Sequence, residues 1–143
     1  MAIVERLARG GDLGADRVSE ALGVRLVPTL DSPMARHYRA PIPDGPFGEA
    51  ELRVIPATGY SFLVLRASPL RPVRVSAADL RVFGEPKWRS VEPKARPEGA
   101  VSEGYALGDI DLRIGYGAES RLLEVVSLGR GRDKETEPPG PLP

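Results

Sequence analysis

Few residues in this chain of 143 carry reactive chemistry. His37 is the sole histidine and so the one candidate imidazole base. A general base works only beside a positioned partner, and its neighbours Arg36, Tyr38 and Arg39 include no carboxylate. Asp109 and Asp111 alternate along an extended pattern and are the best pair for a hard cation or for acid–base work, yet no third acid lies beside them in sequence. Gly59-Tyr60-Ser61-Phe62-Leu63 lacks the second glycine that the sharp turn of a hydrolase nucleophile elbow needs. Gly115-Tyr116-Gly117 is a fragment of a glycine-rich phosphate loop, but no helix N-terminus follows it to hold an anion. The reading is of a chain without catalytic residues, cofactor or metal.

Composition narrows the chemistry further. There is no Cys, Asn or Gln, which excludes disulfides, thiolate nucleophiles, cysteine-bound zinc, iron–sulfur clusters and N-glycosylation. A single histidine also excludes a multi-histidine metal centre. The 20 basic residues cancel the 20 acidic ones, removing the electrostatic footprint of a nucleic-acid or anionic-membrane binder. At 41% hydrophobic and 28% charged, the chain has the balance of one globular domain. Met1 to Arg9 places charges where a signal peptide needs an unbroken apolar run, so the expected location is cytoplasmic.

What is left is recognition of another protein. Trp88, flanked by Lys87 and Arg89 in an expected loop, is the type of residue that anchors interfaces. Charge is also segregated along the chain, with Arg71 to Arg96 basic and Pro97 to Leu128 acidic, which can pair internally or steer a partner. In the strands, if Leu52, Val54, Leu112 and Ile114 face a core, the period of two sends Glu51, Arg53, Asp111 and Arg113 to the opposite face. Trp88, Arg89, Arg53, Asp111 and Arg113 are therefore the expected partner-binding residues.

The elements that must position them are short. Ile3, Val4, Leu7 and Ala8 before Gly10-Gly11, and Val18, Ala21 and Leu22 before Gly23, predict two amphipathic helices. Ser76-Ala77-Ala78-Asp79 predicts a capping box, with Leu80 and Phe83 apolar and Gly84 at the stop. Leu30 to Gly48 allows one edge strand, 36–42, and Lys87 to Gly99 reads as a loop. Hairpins are predicted over 51–66, through Ala57-Thr58-Gly59, and over 110–128. The expected domain is 1–128, with 129–143 a disordered Pro-rich tail.

Glu51-Leu52-Arg53-Val54 matches Asp111-Leu112-Arg113-Ile114 at an offset of 60, and Phe62-Leu63 matches Leu122-Leu123 at the same offset. The match suggests two copies of a helix-plus-strands unit, about 15–70 and 76–128. Ala78-Asp79-Leu80, Phe83-Gly84-Glu85-Pro86, Tyr105-Ala106-Leu107-Gly108, Leu112-Arg113-Ile114 and Leu122-Leu123-Glu124-Val125 occur in an order that resembles the β-lactamase inhibitor proteins and the small outer-membrane assembly lipoproteins. The resemblance covers about residues 76–129, with a fainter echo before them. It implies an α+β fold, short helices on one face of an antiparallel sheet, and a protein-binding sheet without catalysis. The lipoprotein cysteine and the paired cysteines of those families are missing, so neither lipid anchoring nor disulfides carry over.

A second fold is compatible with the same residues. Gly59 to Arg66, Pro72 to Val75 and Asp79 to Val82 follow the strand order of an immunoglobulin-like sandwich, in which 79–83 would be a strand. The expected function is a non-enzymatic inhibitor or immunity protein that blocks a cognate toxin or enzyme, binding neither nucleic acid nor membrane. The alternatives are a small carboxylate-dependent enzyme using Asp109 and Asp111, and an immunoglobulin-like adaptor.

Overall fold

A computed structural model describes residues 1–93 and 98–131. Its elements are α1 (Ala2–Gly10), α2 (Ala15–Leu22), β1 (Val27–Asp31), β2 (Arg36–Pro41), β3 (Phe47–Ile55), β4 (Tyr60–Ala67), α3 (Ala77–Arg81), β5 (Trp88–Glu92), β6 (Ala100–Leu107), β7 (Ile110–Gly117) and β8 (Leu123–Arg130). The strands form one antiparallel eight-stranded sheet in the order β1-β2-β3-β4-β8-β7-β6-β5. Each half is a four-stranded meander, and the halves join where β4 pairs with β8.

Alternation decides which side of the sheet is buried. One row runs Tyr38, Leu52, Leu63, Leu128, Leu112 and Tyr105 across six strands, and the next runs Ala40, Ala50, Leu65, Val126, Ile114 and Glu103. These rows share a core with Val4 and Leu7 of α1, Val18 of α2, and Leu80 and Phe83 at α3. Removing all of a leucine's apolar surface from water stabilises by about 1.5–3 kcal/mol. Leu63 and Leu65, both 0% exposed, contribute that in full.

α3 is only five residues long, too short to hold by propensity, so its caps and its apolar side must hold it. The Ser76 hydroxyl accepts from the Asp79 N–H at 3.1 Å, and the Asp79 carboxylate accepts from the Ser76 N–H at 3.0 Å. Phe83 lies against the Tyr105 ring at 5.7 Å, and the chain turns away at Gly84, whose φ is +84°. Residues 79–83 thus belong to a helix and its exit turn, and the eight strands described lie in one sheet, so the sandwich alternative is not the fold.

Three strand expectations need correction. The strand expected at 36–42 is β2, but it is not at the edge, because an unexpected strand, β1, precedes it and pairs with it. The edge is β1, whose residues are all exposed and so carry no alternation, while β2 pairs on both sides and places Pro41 at its last pair. The loop expected at 87–99 contains β5, an edge strand with no buried residue and so no apolar alternation to reveal it. β6 has no clear sequence signature, since Ser102, Glu103 and Gly104 interrupt its apolar positions. The last strand also runs to Arg130, past the expected domain end at 128, and residues 132–143 lie outside the described residues.

Two substitutions test the capped helix. Ser76→Ala should cost about 0.5–2 kcal/mol through the lost N-cap. Gly84→Ala should cost about 1 kcal/mol or more, because an L side chain resists that positive φ. Urea unfolding measures both, and neutrality of both would contradict the capped geometry.

Candidate protein-binding face

The face opposite the helices has its own rows. One runs His37, Arg53, Phe62, Gly129, Asp111 and Ala106; the next runs Arg39, Glu51, Val64, Ser127, Arg113, Gly104 and Trp88. Four of the five residues expected to bind a partner, Trp88, Arg53, Asp111 and Arg113, therefore share this open face. The fifth, Arg89, follows Trp88 on β5 and points to the helix side, where it pairs with Glu103.

Trp88 is held by what is missing beneath it. It lies across Gly104 on β6, where a Cβ would overlap the indole. The Arg113 guanidinium sits 5.6 Å from the centre of the Trp88 ring and donates to the Ser102 hydroxyl at 3.2 Å. Cation–π stacking of this type contributes about 0.5–1 kcal/mol at an exposed site and also fixes both side chains in place. The result is a half-buried aromatic plate with a cation on top.

At the other end of the face the charges are satisfied among themselves. Arg39 donates to Glu49 and Glu51, both at 3.0 Å, and Arg66 donates to Glu51 at 3.4 Å. Arg53 is exposed and makes no ion pair or side-chain hydrogen bond among the described residues. Beside it, Thr29, His37, Arg39, Phe62 and Val64 line an open depression of about 350 Å³. Phe62 stacks on Tyr60 with ring centres 6.4 Å apart.

Asp109 and Asp111 are brought together, in a second open depression that also holds Lys87 and Arg130. Both acids are exposed to solvent. Among the described residues, no group of three or more His, Cys, Asp or Glu is placed to hold a metal ion. No described helix is long and apolar enough to cross a membrane.

The sequence reading missed a cluster on the helix side. Glu103 is 8% exposed, and its two carboxylate oxygens accept from the Tyr105 and Tyr116 hydroxyls at 2.5 Å each. Arg89 stands 3.4 Å from the same carboxylate. Burial pushes the Glu103 carboxyl up, but the two tyrosine hydrogen bonds and Arg89 outweigh it and hold it below its ordinary value. Burial and the bonds to Glu103 raise both tyrosines. Arg121, in the left-handed conformation at φ 59°, caps this cluster: it lies 4.8 Å over the Tyr116 ring and donates to the Val75 carbonyl at 2.7 Å. Its place between Val101 and Tyr105, two residues away on either side, is the one trace Glu103 leaves in the sequence. Arg89–Glu103 is also a described ion pair that joins the basic segment 71–96 to the acidic segment 97–128.

No family model, curated protein or solved structure matches this chain.

Two measurements check these geometries. Trp88 is the sole tryptophan, so Gly104→Ala should lift the indole into water and shift its fluorescence to the red, at a stability cost of about 1–3 kcal/mol. Because the Glu103 carboxyl is depressed in the folded state, its contribution is present above the ordinary value of 4.5 and is lost as pH falls below it. Glu103→Gln should therefore lower stability at neutral pH and flatten the acid limb of a stability–pH curve. An unchanged acid limb would contradict the assignment.

Proposed function

We propose that this chain is a non-enzymatic protein-binding domain, an inhibitor or immunity protein of the cytoplasm that blocks a cognate toxin or enzyme, and that it grips its partner with the open face of the sheet. The observation that carries this reading is Trp88 laid over Gly104 with Arg113 stacked above it, on the face no described helix covers. Tryptophan and arginine dominate binding hot spots because they bury large, rigid area and donate hydrogen bonds together. Here both are ordered before binding, so little conformational entropy is lost when a partner seats on them.

The sheet supports the reading in a second way. Its order mirrors about the β4–β8 seam, a helix precedes each meander, and Leu52 and Leu112, 60 residues apart, lie in one row on either side of that seam. We take this as a duplicated unit, in keeping with the resemblance to inhibitor proteins. The proposed correspondence of Phe62-Leu63 with Leu122-Leu123 is not part of it, because Leu52 pairs with Leu63 while Leu112 pairs with Leu128. A duplicated sheet of eight strands, twice the number in either meander, gives one open side broad enough for a protein surface.

The test uses toxin or enzyme products of neighbouring genes as candidate partners, captured on the full chain. Trp88→Ala and Arg113→Ala should each weaken capture about tenfold or more in chains that circular dichroism shows to be still folded at the assay temperature. Arg17→Ala, on the helix side, should leave capture intact. Failure of every candidate to bind, or loss of capture only with the helix-side variant, would overturn the reading.

A further inference from the structure

We propose that the depression around Arg53 receives a carboxylate from the partner, a Glu or Asp on an exposed loop, held between the Arg53 guanidinium and the His37 imidazole with its carbon chain on Phe62. This rests on the open-face reading and names the chemistry of what seats there.

The charges on this face are the first argument. Arg39 and Arg66 are occupied by Glu49 and Glu51, and Arg113 by Ser102 and the Trp88 ring. Arg53 has no such partner, and the side chain of His37 makes no hydrogen bond or ion pair among the described residues. The two are directly opposed across β2 and β3. Side chains in such a pair start about 5 Å apart at Cβ, close enough for both donors to reach one oxyanion. An arginine guanidinium and an imidazole N–H both donate, so a carboxylate placed between the two can accept from each.

The surroundings select a peptide carboxylate. Phe62 is the cross-strand neighbour of Arg53 on β4, and beyond it lies Gly129, which has no side chain to cover the ring. Val64, in the adjoining row, extends the apolar floor. An aspartate or glutamate presents an apolar stem and a charged tip in the order that Phe62 and Arg53 present theirs. Glu51 also lines the depression, but Arg39 and Arg66 take up its charge, which leaves Arg53 as the lining arginine without an acidic partner.

The test is a titration of the isotope-labelled full chain with acetyl-Gly-Glu-Phe-Glu-Gly-amide, followed by NMR. Saturating shifts are expected at the Arg53 side chain, His37 and Phe62, with the Gln-for-Glu peptide at least fivefold weaker. Arg53→Ala should weaken the acidic peptide at least fivefold, and Arg53→Glu should abolish binding, with thermal midpoints close to that of the parent chain. Equal binding of the two peptides, shifts insensitive to both variants, or tighter binding of a single-stranded DNA 12-mer would each overturn the proposal. If Trp88→Ala and Arg113→Ala abolish partner capture while Arg53→Glu leaves it intact, the open-face function stands and this inference falls.

Discussion

Pairing between β4 and β8 is the interaction on which the rest of the molecule depends. It joins residues more than sixty positions apart, Leu63 to Leu128 and Leu65 to Val126, and turns two four-stranded meanders into one sheet. All four of these seam side chains are fully buried, in the core that α1, α2 and α3 share. Closing so long a loop costs chain entropy, and the burial of apolar surface along the seam offsets it.

Once the seam forms, the period of two assigns every strand residue to a side. The helix side holds the apolar rows and, among them, the buried carboxylate of Glu103, which is tolerable there because two tyrosine hydroxyls and Arg89 satisfy it. That cluster has a structural effect on the open face. Arg89 and Trp88 are adjacent on β5, so drawing Arg89 to Glu103 on one side holds the strand that presents Trp88 on the other. The buried polar network and the half-buried aromatic plate are two sides of one edge strand.

The open face is neither uniformly charged nor uniformly apolar. Arg39, Arg66, Glu49 and Glu51 neutralise one another in one corner, which keeps that corner soluble. Arg53 and the stacked Arg113 stand outside that network, each next to an aromatic ring, Phe62 and Trp88 respectively. A surface built this way offers directional donors beside small apolar areas and avoids a large sticky patch.

Local signals in the sequence determined the helices and the long central strands. The capping box at Ser76 and Asp79 was legible because both partners lie within one turn, β3 and β7 because an interior strand with one buried face alternates, and β4 because its run Phe62-Leu63-Val64-Leu65 is apolar on both sides, as a central strand is. The same alternation placed Arg53, Asp111 and Arg113 on one face before any fold was known. What the tertiary structure decided was everything set by a neighbour far along the chain. β1 and β5 lie at the sheet's edges, where a strand loses the alternation that would reveal it, so Trp88 read as a loop residue and Arg89 as its companion on the same surface. Nothing local marks Glu103, because its partners Tyr116 and Arg89 reach it only through sheet register. A residue's periodicity reports which side of its own strand it occupies, and only pairing across strands fixes what stands opposite.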